Sequence, residues 1–290
     1  MGLRSLIFGK GYKHRQKNYP FFSYQERPRL DENGYFELAI DNVELVKNLY
    51  NRTSKYWRGL ASDPKEIYWS VLSNSRFKGV LSKERKNEFF ASGEGDIRVI
   101  MEIYRRFCPE PFHPIALDFG SGVGRLSIHA AKECEYVYSV DFSPKHLSEA
   151  SAIYEEKQVK NAECIEIGDL SDLDNLPHSN LIYSLIVLQH NTPPVMAVIV
   201  SKLLASLKYE GIAVLHIPIA YPNYYFDPIQ YLNSEQSGKK MEVHILPKNN
   251  INELAALNRC SILATYSNGG AGDYYSEWIV FQKNTDDLSE

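Results

Sequence analysis

The stretch between residues 116 and 143 constrains the fold of this 290-residue chain more than any other. It reads Ala-Leu-Asp-Phe-Gly-Ser-Gly-Val-Gly-Arg-Leu and, after a predicted helix, Val-Asp-Phe-Ser. This order predicts a strand, a glycine-rich turn, a helix and a second strand that ends in an acid. Glycines let a ligand approach the backbone closely, and an acid about twenty residues later is placed to bind ribose hydroxyls. The sequence therefore predicts a site for a ligand that carries a nucleoside.

The details of the turn distinguish between kinds of ligand. The spacing is G-x-G-x-G at Gly120, Gly122 and Gly124, with Arg125 next, whereas dinucleotide-binding folds use G-x-G-x-x-G. Asp118 precedes the turn, and its charge would repel a pyrophosphate but attract a cation. S-adenosylmethionine, which carries a sulfonium and an ammonium group, fits this acid. The alternatives for this stretch are an NAD-binding domain and a glycine turn that binds no ligand.

With these features the sequence resembles the class I S-adenosylmethionine-dependent methyltransferases. The resemblance runs in order over roughly residues 91–283, and it includes the glycine-rich segment 117–124, Asp141, the segment 168–170 and the strand 181–190. It implies an enzyme with an α/β, Rossmann-like fold, in which a seven-stranded, mostly parallel sheet has an antiparallel final strand. The chain departs from the family at Asn180, where the fourth strand often begins with Asp.

The same resemblance implies contacts with the cofactor. Gly120 and Gly122 would contact it through the backbone, Asp141 would bind the ribose, and Asp169 with Leu170 would hold the adenine. The full set of predicted cofactor-binding residues is Asp118, Gly120, Ser121, Gly122, Gly124, Arg125, Asp141, Phe142, Asp169, Leu170 and Gln189. No metal site is expected, because the four cysteines are scattered and contain no C-x-x-C pair.

The predicted elements divide the chain into three parts. Residues 1–90 form an N-terminal extension or lid that is partly helical, residues 91–283 form the methyltransferase-like domain, and residues 284–290 form a tail. We expect a helix over 123–133 that directs its first amides at the ligand, and a fourth strand over 181–188. Asn250 and Glu253 suggest a capping box at the start of the last helix.

An insertion at about 218–248 is the predicted site of the methyl acceptor. It follows the fifth strand at the ligand-binding edge of the sheet, and it carries Tyr221, Tyr224 and Tyr225. Aromatic faces with hydroxyl tips suit a small-molecule or glycan acceptor, although the tyrosines could also form a lid without touching it. Histidine can remove a proton from an acceptor hydroxyl, so His190 is our first candidate base and His244 our second.

Composition narrows the remaining choices. The net charge of −4 argues against a dedicated nucleic-acid binder, and no apolar run is long enough to cross a membrane. The cysteines contain no C-x-x-C pair, which favours the reducing cytoplasm. Basic residues within 1–25 indicate a solvated tail, or contact with an anionic membrane surface or substrate. Methylation of nitrogen, of RNA or of protein stays open, as does a non-catalytic scaffold, and the oligomeric state is not predicted.

Overall fold

A computed structural model describes Leu38 and residues 40–108, 110–267 and 274–285. The basic segment 1–25, for which a membrane or substrate contact was left open, lies outside these residues. The described helices are α1 (Val43–Ser62), α2 (Lys83–Ala91), α3 (Gly93–Phe107), α4 (Ser127–Ala130), α5 (Pro144–Glu156), α6 (Pro193–Ala205), α7 (Pro228–Asn233) and α8 (Lys248–Leu257). The described strands are β1 (Ile115–Phe119), β2 (Tyr136–Asp141), β3 (Ala162–Glu166), β4 (Ser179–Ser184), β5 (Leu207–Ala220), β6 (Cys260–Ser267) and β7 (Tyr275–Lys283).

The seven strands form one sheet in the order β3-β2-β1-β4-β5-β7-β6. Neighbouring strands from β3 to β5 are parallel, and β7 runs antiparallel to both β5 and β6. The predicted fold class, a mostly parallel sheet with an antiparallel final strand, is therefore confirmed. The strand order reverses between β1 and β4, and their carboxyl ends form the crevice where such folds bind ligands.

Apolar side chains cover both faces of the sheet. In β4, Leu181, Ile182 and Tyr183 are all fully buried. Because successive strand residues point to opposite faces, Ile182 packs in the cluster that contains Leu203 of α6, whereas its two neighbours pack in the cluster that contains Ile100 of α3. This burial on both sides explains the continuous apolar sequence of β4 and fixes the edge at which the strand ends.

The prediction of a long helix directly after the glycine turn was wrong. Residues 122–126 form turns, and α4 is only four residues long. Gly122 and Gly124 have φ values of 54° and 79°, which right-handed helical geometry does not allow, so regular helical bonding begins beyond them. The expected helix N-terminus is therefore not available to bind a ligand.

Two other predicted boundaries were also wrong. The strand predicted over 181–188 ends at Ser184, because Ile186 has a φ of 59° and turns the backbone out of the sheet. The last helix, α8, begins at Lys248, two residues before the predicted cap at Asn250, and Pro247 is its N-cap residue without a side-chain hydrogen bond. Because β4 ends at Ser184, the chain leaves the sheet before the end of the apolar run at residue 188.

The described part of the N-terminal extension packs onto the ligand-binding edge. In α1, the Tyr50 hydroxyl donates to Ile167 O at 3.0 Å and Arg58 Nε donates to Phe142 O at 2.8 Å. Residues 63–74, which we call the cap segment, follow α1 in a series of turns. Tyr68 of this segment is buried in a cluster that includes Ile153 of α5. No helix within the described ranges is long and apolar enough to cross a membrane.

Candidate active site

The glycine turn is held against the end of β2. The backbone amides of Gly120 and Ser121 donate to Val140 O at 2.7 and 3.0 Å, and the amide of Gly122 donates to Asp141 Oδ2 at 2.9 Å. Gly120 and Gly122 have φ values of 76° and 54°, a conformation that side-chain-bearing residues adopt rarely. Glycine at these positions thus allows the turn to close onto the carboxyl end of the neighbouring strand.

Two valine side chains lie directly on this turn. A Cβ atom at Gly120 would come within 2.4 Å of Val187, and one at Gly122 would come within 2.5 Å of Val71. Val187 follows β4, whereas Val71 belongs to the cap segment. The turn is therefore covered by the N-terminal extension as well as by the sheet edge, and neither glycine has space for a side chain.

A cleft opens beside the turn at the switch between β1 and β4. It measures about 680 Å³ when the space open to solvent is counted. Its walls come from the carboxyl ends of β1 and β2, the segment after β4, α1 and the cap segment. The lining residues are Trp57, Ser70, Val71, Asp118, Gly120, Ser121, Gly122, Arg125, Leu126, Asp141, Phe142, His146, Leu185, Ile186, Val187, His190 and Asn191.

Asp118 is a buried acid on the floor of this cleft. Ser127 Oγ donates to its Oδ2 at 2.7 Å. Burial raises the pKa of Asp118 to about 7. The hydrogen bond from Ser127 and the positive charge of the nearby Arg125 lower this pKa, but they only partly offset the effect of burial. A cation in the cleft would favour the ionised carboxylate, so Asp118 is suited to bind a positively charged group.

Ser121 and Arg125 both line the cleft beside the turn. Ser121 is buried, and its Oγ has no hydrogen-bond partner among the described residues. A buried polar atom is costly without a partner, so this hydroxyl is available to a ligand. Arg125 is already engaged, because its Nη1 forms an ion pair with Asp96 Oδ2 at 2.9 Å.

Asp141 is the acid that was predicted to bind ribose. Its side chain is 8 % exposed and lines the cleft. Its Oδ2 accepts from Gly122 N–H, and its Oδ1 accepts from Ser143 N–H at 2.8 Å. His146 Nδ1 lies 3.6 Å from the same Oδ1. Backbone amides therefore fix the carboxylate in place while it still faces the cleft.

His190, the first candidate base, also lines the cleft, where its ring lies 4.6 Å from that of Trp57. Its Nδ1 lies 2.8 Å from Glu242 O, which can only accept, so Nδ1 carries the proton. Its Nε2, 3.3 Å from Gln189 Nε2, then keeps a lone pair. Burial lowers the pKa of His190 to about 4, more than the Glu242 carbonyl raises it. The ring is thus neutral at pH 7 and in the tautomer that can accept a proton.

His244, the second candidate base, does not line the cleft. Its Nδ1 lies 2.6 Å from the Tyr224 hydroxyl, and its Nε2 lies 3.5 Å from Glu242 Oε2. Burial raises the pKa of Glu242, but hydrogen bonds from His244 and Tyr231 outweigh burial, so the pKa lies below its usual value. The contact between His244 and Glu242 therefore joins two residues of the insertion. The carbonyl group of the same Glu242 is the one that contacts His190.

The insertion is attached to the segment that follows β4. His244 N–H donates to Gln189 O at 2.8 Å, so the predicted cofactor residue Gln189 lies between the insertion and His190. Tyr221 and Tyr224 stack with ring centroids 6.1 Å apart, and Tyr221 and Tyr225 are 38 % and 40 % exposed. None of the three tyrosines lines the cleft itself.

Four of the predicted cofactor residues, Gly124, Asp169, Leu170 and Gln189, lie outside the lining of the cleft. Gly124 is in contact with Tyr154 of α5, because a Cβ there would come within 2.7 Å of the Tyr154 ring. Asp169 forms an ion pair with Lys47 of α1 at 3.1 Å, and Leu170 packs at the edge of the core. Phe142, by contrast, lines the cleft together with Asp118 and Asp141.

Several residues of this site were missed by the sequence analysis, among them Ser70, Val71, His146 and Glu242. Ser70 and Val71 reach the cleft from the cap segment, and nothing in their local sequence marks them. His146 follows the helix cap Ser143 by three residues, a spacing that could have placed it beside Asp141. Glu242 contacts His190 through a carbonyl group, which no side-chain pattern reveals. Across the described ranges, no cluster of His, Cys, Asp and Glu is suited to hold a metal ion.

Comparison with known proteins identifies the core of the chain. Residues 116–211 match the family model described as a methyltransferase domain. Over 78 residues the chain is 35 % identical to a Methanococcus vannielii protein named probable cobalt-precorrin-6B C(15)-methyltransferase (decarboxylating). That stretch is 27 % of this chain and 41 % of the relative, so the chain spans only about two fifths of the length of the protein it matches.

Solved structures show the same fold over a larger part of the chain. One is magnesium protoporphyrin IX methyltransferase from Synechocystis PCC 6803 with bound SAM, which has a TM-score of 0.50 and 18 % identity and covers 83 % of this chain and 96 % of its own. The form with bound SAH has a TM-score of 0.51 and covers 84 % and 100 % at the same identity. The chain therefore shares the fold of these methyltransferases, and its residues 116–211 match a methyltransferase-domain model, in agreement with the sequence resemblance.

Proposed function

We propose that this protein is an enzyme that transfers the methyl group of S-adenosylmethionine to an oxygen atom of a small-molecule or glycan acceptor. The observation that carries the proposal is a single cleft lined by Asp118, the glycine turn, Asp141 and the neutral His190. The methyltransferase domain at 116–211 supports the reaction class. Oxygen is favoured because transfer to a hydroxyl benefits from a base, and His190 has the lone pair that this role needs.

The residues present fit the cofactor. Ser121 Oγ is buried without a partner and can bond to the carboxylate of the amino acid part, and Asp118 can receive the positive charge. Asp141 supplies an ordered carboxylate for ribose hydroxyls. When bound, the cofactor supplies a methyl group on a positively charged sulfur that is already reactive. We propose that Gly124, Asp169, Leu170 and Gln189 contribute to cofactor binding around this pocket. We also propose that Arg125 helps to shape the pocket through its ion pair with Asp96.

The chain's own residues would align the acceptor and remove its proton. Glu242 O orients the His190 ring, which places Nε2 as the proton acceptor. Trp57 covers this ring and, with the cap segment, would exclude water from the cleft. Aligning two reactants in this way is a large part of the rate enhancement available to a displacement reaction. His244 is the second candidate base, and its alternative role is to hold the insertion in place through Glu242.

The acceptor is proposed to contact the insertion. Ile186 lines the cleft and is 44 % exposed, and the exposed tyrosines Tyr221 and Tyr225 belong to the same edge of the molecule. Tyr224 stacks on Tyr221. Such a surface, mostly apolar with hydroxyl tips, suits a sugar ring or another flat, amphipathic molecule. The free state of all four cysteines fits the proposed cytoplasmic location, where thiols stay reduced.

Calorimetry with S-adenosylmethionine and S-adenosylhomocysteine tests the proposal. We expect both to bind with dissociation constants in the micromolar range, which corresponds to about −8 kcal/mol. Incubation of the protein with methyl-labelled cofactor and candidate glycans or extracts should then label a small acceptor. No binding of either compound below about millimolar concentration would contradict the proposed function as a whole.

The affinity for S-adenosylmethionine should depend on pH through Asp118. Because the pKa of this acid is about 7 without ligand, a bound cation must displace its proton at low pH. Binding is therefore weakened by about tenfold when the pH falls from 8 to 6. Calorimetry on the Asp118→Asn variant provides the control, since its affinity should lose this part of the pH dependence. An identical pH profile in the two proteins would rule out Asp118 as the group responsible.

A further inference from the structure

A chain of polar contacts joins the cap segment to the predicted ribose site. Ser70 Oγ lies 2.9 Å from His146 Nε2, and His146 Nδ1 lies 3.6 Å from Asp141 Oδ1. The side chains of His146 and Asp141 are only 6 % and 8 % exposed. All three residues line the cleft, although only Asp141 was predicted to do so. This chain of contacts therefore begins in the N-terminal extension and ends on the acid at the tip of β2.

The hydroxyl of Ser70 decides which nitrogen of His146 presents a hydrogen to Asp141. Ser70 Oγ lies 2.9 Å from Ile67 O as well as from His146 Nε2, and its one hydrogen can serve either acceptor. When that hydrogen points at His146 Nε2, the ring proton lies on Nδ1 and faces Asp141 Oδ1. His146 can thus bind the cap segment on one side and hold the carboxylate on the other.

The same acid is in contact with the cap segment by a second route. Asp141 Oδ2 accepts from Gly122 N–H, and Val71 of the cap segment lies directly on Gly122. Beyond the cleft, the Tyr68 hydroxyl donates to Glu149 in α5, the helix that also carries His146. Movement of the cap segment would therefore disturb two of the groups that contact the Asp141 carboxylate, Gly122 and His146.

We propose that His146 is a positioning residue for cofactor binding, which orients the Asp141 carboxylate toward the ribose and couples that contact to the closed cap segment through Ser70. The inference rests on the proposed function, because it assumes a ligand with ribose hydroxyls at Asp141. His146 acts through Asp141 and not on the reacting atoms. Occupation of the cleft and closure of the cap segment are then one linked event, since each stabilises the arrangement that the other needs.

The test compares S-adenosylhomocysteine with its analogue that lacks the ribose 2′-hydroxyl, by calorimetry on the full chain. In the wild type we expect loss of the hydroxyl to weaken binding by about tenfold, as for a hydrogen bond to a charged group. In His146→Ala this penalty should shrink to about threefold or less, whereas His146→Asn, which retains a donor, should restore part of it. A purely structural role would weaken both ligands equally and leave the penalty unchanged.

Hydrogen exchange of residues 63–74 tests the coupling to the cap segment. Addition of S-adenosylhomocysteine should slow exchange there by about tenfold in the wild type and much less in Ser70→Ala, a variant with a small change at a half-buried site. The exposed His178→Ala serves as the matched control and should behave as the wild type. If the wild type binds no ligand, the proposed function fails. If it binds and the penalty and exchange are the same in all variants, only the role of His146 and Ser70 is overturned.

Discussion

Replacing His190 by alanine is expected to lower the turnover of the proposed methyl transfer by about 10²-fold or more, with little change in cofactor affinity. His190 is neutral, its Nδ1 proton is directed at Glu242 O, and its Nε2 is left as the proton acceptor. The variant removes this acceptor but leaves Asp118 and Asp141 unchanged. Single-turnover kinetics with labelled cofactor, together with calorimetry of S-adenosylhomocysteine, separates the two effects.

The pH profile gives a second readout for the same residue. Since the pKa of His190 is about 4, the base stays neutral from pH 8 to pH 6, and turnover at saturating cofactor should be flat over that range. Turnover should decline only as the pH falls toward 4, where the ring becomes protonated. The exposed His178→Ala is the control for general effects of histidine removal. Undiminished turnover in His190→Ala would exclude it as the base and turn attention to His244.

Replacing Asp141 by alanine should weaken the binding of S-adenosylhomocysteine by about 100-fold. Each hydrogen bond between a ribose hydroxyl and a carboxylate contributes about 1.5 kcal/mol, so two of them correspond to about 3 kcal/mol. Asp141→Asn retains the shape and one acceptor, and we expect a loss of about tenfold. Calorimetry measures both values.

The design of this experiment must separate binding from folding. Asp141 also accepts from the amides of Gly122 and Ser143, so alanine leaves two buried donors without their partner. Thermal unfolding without ligand reports that cost independently. Asp174→Ala removes a carboxylate that is 57 % exposed and pairs with Lys202, and it should change neither property by a measurable amount. Equal affinities of Asp141→Ala and the wild type would place the ribose elsewhere.

Local sequence was sufficient to predict the elements that carry strong periodicity or clear end signals. The strand before the glycine turn and the second strand that ends in an acid are observed as β1 (Ile115–Phe119) and β2 (Tyr136–Asp141). The prediction failed where two local signals conflict. Between 122 and 133 the apolar pattern favours a helix, but the positive φ values of Gly122 and Gly124 prevent one over the first turn.

Long-range contacts account for the part of the site that the sequence did not predict. The acids of the cleft lie at the ends of strands and the glycines follow one directly, so the alternation of strands and helices places them at one edge of the sheet. Ser70 and Val71 reach the same cleft from an irregular segment, whose position depends on the burial of Tyr68 against α5. The tautomer of His190 depends on a carbonyl 52 residues away along the chain. Neither relation leaves a pattern in one sequence.

One wall of the cleft comes from residues that precede the matched domain. Trp57, Ser70 and Val71 lie before residue 116, where the family model begins. Substitutions in this wall can change the shape of the pocket without altering the packing of the sheet. Two proteins with nearly the same residues 116–211 could therefore methylate different molecules. The substitutions that cause this difference would lie mainly before residue 116.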